Sequence, residues 1–418
     1  MDHLSRFFRK ISRETLSSLH VRNYRLYYIG QIISTSGTFM QNIAQAWLVL
    51  KLTNSGAALG LTTALQYLPI LILGPYGGVI ADRISKRKIL YLTQSISGLL
   101  ALILGGLVAT GLVRVWMVYI LATCLGMVNV FDNPTRQTFY MELVGPEHLR
   151  NAVTLYSTLV NLARILGPAI AAGVIAAFGL APCFIVNGIS FAAVVIMLAM
   201  LHADELHITP PVPRAKGQLQ AGFKYVASTP ILGSTLVMMA IIGTLTYEFQ
   251  VSLPLMAECT FKGDASSYAF LTASIGVGAV CGGILFASRK GVIPYKLVSA
   301  AMLFGLAVLA AACMPIIHLS GLALVAVGIC SINFSSLGNS ILQLHSSPQM
   351  RGRVMSFWSV AFLGSTTIGG PVVGWFAQVA GARWGLALGG LAALVAAALG
   401  AFTLRNLQTN KPVPQDEH

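Results

Sequence analysis

Apolar runs long enough to cross a bilayer, about 20 residues each, recur from one end of the chain to the other with short polar turns between them. They predict twelve helices, near 26–50, 56–81, 89–111, 115–141, 151–178, 182–202, 228–257, 267–288, 296–314, 319–345, 353–380 and 384–404. The short alternating segments of a membrane β-barrel do not occur. Periodic polar positions mark some of these spans. Span 1 carries Gln31, Ser34, Thr38, Gln41 and Gln45 at spacings of 3 or 4, hence on one helical face. Span 10 repeats the pattern with Asn333, Ser336, Ser340 and Gln343. Counting Asn, Gln, Asp, Glu, Arg, Lys and His, spans 1, 4, 7 and 10 hold fifteen and spans 3, 6, 9 and 12 hold four. One such stripe is explained by hydrogen bonding between helices. Four of them, at every third helix, predict an aqueous pathway lined by spans 1, 4, 7 and 10, with Tyr247 of span 7 among its aromatic residues.

Composition agrees with lipid as the solvent: 56% of the 418 residues are hydrophobic and 10% charged, with a mean hydropathy of +0.75. The net charge of +14 raises nucleic acid as a partner, but its distribution argues for topology instead. With the N-terminus inside, 22 of the 27 Lys and Arg fall in cytoplasmic segments, whereas Lys51, Arg114, Lys262 and Arg383 fall outside. This is the positive-inside rule, and it predicts both termini in the cytoplasm. Trp47, Trp116 and Trp384 then lie near outer helix ends. Residues 1–22 read as a cytoplasmic arm, with Leu4, Phe7, Phe8 and Ile11 set against Arg6, Arg9, Lys10 and Arg13. The six cysteines are scattered without metal-ligand spacing. No metal or cofactor is expected.

The longest polar stretch between spans, 203–227, contains three prolines and mixed charges and reads as a cytoplasmic linker. It separates one six-helix bundle, 23–202, from another, 228–404, followed by a tail over 405–418. The halves resemble each other: 149–168 aligns without gaps to 352–371, with Arg150 on Arg353, Gly167 on Gly370 and Pro168 on Pro371. Repeated halves with a binding site between them near midplane are the usual build of a secondary transporter.

The segment GGVIADRISKRK, 77–88, supplies a more specific signal. Its Gly78, Asp82 and Arg83, followed by Lys86, Arg87 and Lys88, resemble the loop between the second and third helices of the major facilitator superfamily. The second glycine usual in that pattern is replaced by Ser85. The resemblance implies an all-α fold of two six-helix pseudo-repeats and a cytoplasmic latch of Gly78, Asp82, Arg83 and Arg87, with Arg136 of span 4 as a further member. A second stretch, 133–173, is similar to the proton-driven exporter branch that includes the enterobactin and macrolide exporters. Its ILGPAIAAG resembles the antiporter motif of the fifth helix and implies a kink at Gly167, Pro168 and Gly173. That motif is incomplete here, since Ala172 stands where a glycine is usual.

Ionisable side chains inside spans cost roughly 2.5–3.5 kcal/mol each near the bilayer centre, so each needs a partner or a role. Asp132 and Arg164 lie on consecutive spans that form a hairpin, where a pair between them is either a static lock or a proton-linked switch. Glu248 has no base in its own span. It reads equally as the site of the exchanged proton and as a carboxyl reaching outer water. No Walker loop, catalytic triad or metal-spaced set is present, so no enzyme is expected and ATP does not drive the process directly.

These readings converge on a monomeric, multi-pass secondary transporter. It would export a small amphipathic molecule (a siderophore, macrolide or other drug) in exchange for protons, and the exporter resemblance implies the bacterial inner membrane. A lipid or lysophospholipid translocator of the same fold, an importer, and a non-transporting receptor or assembly protein stay open as alternatives.

Overall fold

The computed structural model describes residues 17–207, 218–287, 294–347 and 350–409, with the side chains of 75–83, 218–219, 287 and 406–409 left aside. The N-terminal arm up to residue 16, much of the linker and the end of the tail therefore lie outside the described residues. What is described is helical, and no strand occurs in it.

In chain order the helices are α1 (Arg22–Thr53), α2 (Gly56–Arg83), α3 (Lys86–Ala109), α4 (Val115–Phe178) and α5 (Ala181–Ala199). A linker helix, α6 (Gln218–Ala227), precedes α7 (Pro230–Leu245), α8 (Phe249–Leu255) and α9 (Ala265–Ala287). The last are α10 (Pro294–Cys313), α11 (Ile317–His345), α12 (Arg351–Ser359), α13 (Thr366–Ala380) and α14 (Ala382–Thr409).

Among the described residues ten helical stretches are long and apolar enough to cross a bilayer, with α7–α8 and α12–α13 each forming one of them. The 64-residue α4 is counted once there but makes two crossings. Its backbone breaks at Gly145, whose φ of 69° lies in the left-handed region that glycine reaches without steric cost. Pro146 follows at the start of the second arm, where its missing N–H is no loss. Helix α1 is the remaining crossing. Its amides Gln31, Gln41, Asn42 and Gln45 dilute the apolar run, so composition alone passes over it.

The described residues form two compact units. One takes its residues from 1–54, 65–213 and 264–273, and the other from 55–64, 214–263 and 274–418. In the first unit, α3 packs closely on α5. A Cβ built on Gly98 would meet the carbonyl of Gly188 at 3.2 Å, a close approach that membrane helices use to gain van der Waals contact. The second unit repeats this with α10 on α14, where a Cβ on Gly305 would meet the carbonyl of Gly390 at 2.7 Å. The two units thus share the same kind of glycine-mediated crossing.

One end of the first unit is tied together by polar bonds around an aromatic core of Tyr24, Tyr27, Phe139 and Tyr140. Asn23, fully buried, donates to the carbonyl of His202 at 2.9 Å and accepts the His202 N–H at 3.0 Å. Tyr24 donates to the carbonyl of Ala152 at 2.8 Å. The two bonds to His202 join the start of α1 to the segment just beyond α5.

Candidate functional site

Two buried carboxyl groups inside the spans, Asp132 and Glu248, define the candidate sites. Asp132 stands on the first arm of α4 and is 1% exposed. Its Oδ1 accepts from Thr93 Oγ1 and Gln94 Nε2, both at 2.7 Å. Its Oδ2 pairs with the guanidinium of Arg136, one turn further along the same helix. Arg136 in turn donates to Gln31 Oε1 at 2.9 Å. The cation seen on Asp132 is thus Arg136 of its own helix, while Arg164 lies half-buried on the other arm of α4. An i,i+4 pair needs no tertiary alignment, and Thr93 and Gln94 complete the shell from α3.

Among the latch residues, the side chains of Gly78, Asp82 and Arg83 lie outside the described residues. Arg87 donates through Nε to the carbonyl of Leu198 at 3.0 Å and through a terminal nitrogen to that of Ala199 at 3.1 Å. It thereby satisfies carbonyls left open at the C-terminus of α5. Lys86 forms a 2.6 Å ion pair with the buried Glu142 of α4. That contact escaped sequence reasoning, because nothing in the spacing of Lys86 and Glu142 joins them.

The polar stripe of α1 is mostly spent inside its own unit. Gln41 accepts from Asn187 Nδ2 of α5 at 2.7 Å, and Gln45 donates to Gln66 Oε1 at 3.3 Å. Gln31 is committed to Arg136, while Thr38 turns back onto the carbonyl of Ser34 at 2.9 Å. Gln31, Ser34, Gln41 and Gln45 are all buried. The expected pathway lining at Gln41 is therefore a joint between helices: Asn187, a polar residue of span 6, faces it. In α11 the corresponding stripe stays open, with Ser336 and Gln343 exposed and Asn333 half-buried. Gln343 donates to Asn339 of its own helix at 2.5 Å.

In the antiporter-like segment, Gly167 fits against α1, where a Cβ would crowd Phe39 and meet Met40 N and Ser36 O at 3.1 Å. Gly173 has nothing within 4 Å of a built Cβ, so the tight packing expected of it is absent. Pro168 is buried within the helix, and the break in α4 is at Gly145.

Glu248 occupies a different setting. Span 7 loses its helix between α7 and α8, and Glu248 caps α8 with φ −80° and ψ 42°. Tyr247 N–H reaches back to the carbonyl of Ile242 at 3.2 Å, and regular pairing resumes with Ser252 N–H on the carbonyl of Glu248 at 3.0 Å. Two side chains pin the break: Thr246 donates to the carbonyl of Gly389 at 2.7 Å, and Tyr247 to that of Ser331 at 3.0 Å. The Glu248 side chain is 2% exposed and does not reach solvent. Thr366 of α13 stands beside the carboxyl, while Oε1 has no partner among the described residues. Opposite the break, Val360–Gly364 forms a single π-turn between α12 and α13. Gly243 fits against that turn, where a Cβ would meet Ser365 Oγ at 2.8 Å and crowd the carbonyl of Ala361. The ring of Phe362 stands 5.0 Å from that of Tyr247, edge to face. Such bulges gather at functional sites, and irregular backbone at membrane depth persists only where protein or a water-filled cavity surrounds it.

Comparison with known proteins bears on these features. The chain matches the transmembrane secretion effector family over residues 13–417. It is 23% identical to the staphyloferrin A transporter of Staphylococcus aureus over 260 residues, which cover 61% of this chain and 64% of that protein. It is 25% identical to the enterobactin exporter EntS of Shigella boydii over 366 residues, 84% of each chain. Among solved structures, a bacterial homologue of the human lysosomal transporter Spinster, inward-facing, superposes with a TM-score of 0.72 at 16% identity, over 94% of this chain and 99% of that one. The nucleoside transporter NupG superposes with a TM-score of 0.72 at 12% identity, over 92% and 99%. The relatives are transporters and not enzymes. Carrying the family's match along nearly its whole length and the major facilitator fold in its helices, this chain belongs to the transmembrane secretion effector family of multi-pass membrane transporters.

Proposed function

We propose that this protein is a proton-coupled exporter of a small amphipathic molecule, of the siderophore or macrolide kind, working by alternating access of its two six-helix repeats, 23–202 and 228–404. The observation that carries the reading is the Glu248 carboxyl, buried at a helix break with one oxygen unpartnered. A group so placed changes charge readily when its surroundings change. The open polar face of α11 at Asn333, Ser336 and Gln343, with Tyr247 nearby in the fold, would contact the substrate. Gln31, Ser34, Thr38 and Gln45 would serve chiefly to hold the first unit in shape. Asp132 and Arg136 form a static lock on this reading, and Arg164 takes no direct part in proton transfer. Arg87 and Lys86 keep the latch loop of Gly78, Asp82 and Arg83 in register with α5 and α4. The resemblance to siderophore transporters supports export across a bacterial inner membrane, as a monomer with both termini in the cytoplasm.

The test uses purified protein in liposomes that contain a pH-sensitive dye. A proton gradient is imposed, and a catecholate siderophore, a macrolide and a lipophilic cation are added in turn. Substrate-dependent proton movement that falls to background in Glu248→Gln is the expected result. Movement that persists in Glu248→Gln sinks the role of Glu248. No movement with any compound, together with passage of a labelled lysolipid, would replace the reading by lipid translocation.

A further inference from the structure

The break in span 7 leaves more than a carboxyl without a partner. Because Tyr247 N–H bonds to Ile242 O, the carbonyl of Gly243 is passed over by the amide that would bond it in a continuous helix, and among the described residues no bond joins Glu248 N–H to the Thr244 carbonyl. The Thr244 carbonyl and Glu248 Oε1 both border Gly369 of α13. A Cβ there would crowd the Thr244 carbonyl and meet Glu248 Oε1 at 2.9 Å. Thr366, three residues before Gly369, stands beside the same carboxyl. A carboxylate, a backbone carbonyl released by a broken helix and a hydroxyl form an all-oxygen set carrying one negative charge. Hard cations take such ligands, and broken membrane helices supply them to Na⁺ as well as to protons.

We infer that Glu248, the Thr244 carbonyl and Thr366 form a binding site for a small monovalent cation, Na⁺ or Li⁺, in which the metal ion and the proton compete for the carboxylate. Among the described residues, the neighbours put no rival charge there. Helix α10 presents Phe304 to Tyr247, α11 presents the Ser331 carbonyl, α13 presents Thr366 and Gly369, and α14 presents the Gly389 carbonyl. The titratable group adjoining Glu248 is the Tyr247 phenol, which donates to Ser331. Arg383 of α14 turns instead to the carbonyl of Ala312 and the ring of Phe261. Gly369 acts as a positioning residue, since its missing side chain lets α13 approach both oxygens.

This inference rests on the proposed importance of Glu248 but is tested by binding, apart from transport. The purified protein in detergent is titrated with NaCl or LiCl at constant ionic strength, balanced with choline chloride. Thermal stability and equilibrium binding of radioactive Na⁺ are both followed. The expected result is a saturable stabilisation by Na⁺ or Li⁺ that choline does not reproduce. The apparent affinity should weaken about tenfold for each pH unit lowered in the range where the carboxyl is mostly protonated. The effect should vanish in Glu248→Gln, weaken at least about threefold in Thr366→Val, and persist in Gln343→Leu. Should Glu248→Gln fail to fold, Thr366→Val and the pH dependence still decide. Equal responses to Na⁺ and choline, or an unchanged response in both Thr366→Val and Glu248→Gln, overturn the site. Proton-coupled export lost in Glu248→Gln but with no Na⁺ binding would leave the proposed function standing and remove only this inference. Na⁺ binding without proton-coupled export would do the reverse.

Discussion

Asp132 and Glu248 are equally buried acids, yet their surroundings differ in kind. Asp132 has Thr93, Gln94 and Arg136 on its two oxygens, and its helix runs unbroken past it. Glu248 has Thr366 near one oxygen and none of the described residues on the other, at a point where the helix gives way. The first arrangement offsets the desolvation of the charge by pairing; the second leaves it largely uncompensated. Burial alone therefore does not mark a working carboxyl. On the proposed reading, the static acid is the one with a completed shell and the working acid the one with a place left open.

The largest expected effect tests the closed shell. Asp132→Ala leaves the half-buried Arg136 without its anion and should cost about 3 kcal/mol, read as a large fall in thermal stability in detergent. Glu248→Gln should change that stability little. Equal losses in the two variants would erase the contrast.

Next comes the support around the open site. Gly369→Ala forces a methyl group against the Thr244 carbonyl and Glu248 and should destabilise by about 1–3 kcal/mol. It should also displace the pH profile of transport, which a purely structural defect would leave in place. Gly173→Ala, with open space around it, should be neutral in both measurements.

The same contrast runs through the two polar stripes. Gln41→Leu leaves Asn187 without its acceptor and should cost about 1–2 kcal/mol, with the substrate profile unchanged. Gln343→Leu on the open face of α11 should stay within about 0.5 kcal/mol while altering transport of at least one substrate.

A modest effect belongs to a third acid, outside the spans. Asp264 Oδ1 accepts the Ser267 N–H at 3.0 Å at the start of α9, which holds its carboxyl below the usual range. A depressed value means the stabilisation is present above the unfolded-state pKa and is lost as pH falls through the folded one. Asp264→Ala should cost about 1 kcal/mol near neutral pH. The difference from wild type should close below about pH 4.

Much of this was legible in the chain. The spans follow from hydropathy because lipid tolerates little else, and Gly145–Pro146 punctuates α4 as such a pair should. The stripe on α1 was visible as a face, but periodicity does not say what stands opposite. Asn187 on α5 supplies that answer only after packing. The i,i+4 spacing of Asp132 and Arg136 stands in the sequence, yet sequence reasoning pairs Asp132 with Arg164 and gives Arg136 to the latch, while Thr93 and Gln94 come from a separate span. The break at Glu248 and the π-turn at Val360–Gly364 carry no such signal. Tyr247, Glu248 and Phe249 are not residues that interrupt helices on their own, and the irregularity arises where α7 meets α13.

The paired bonds between Asn23 and His202 have a consequence for synthesis. A chain emerging from the ribosome delivers α1 first, yet its buried amide finds its partners only once the segment beyond α5 has followed. Arg87 likewise waits for the carbonyls of Leu198 and Ala199. Until then the leading helices carry unmet polar groups. Truncation ahead of residue 202 should therefore leave the amino-terminal repeat poorly closed.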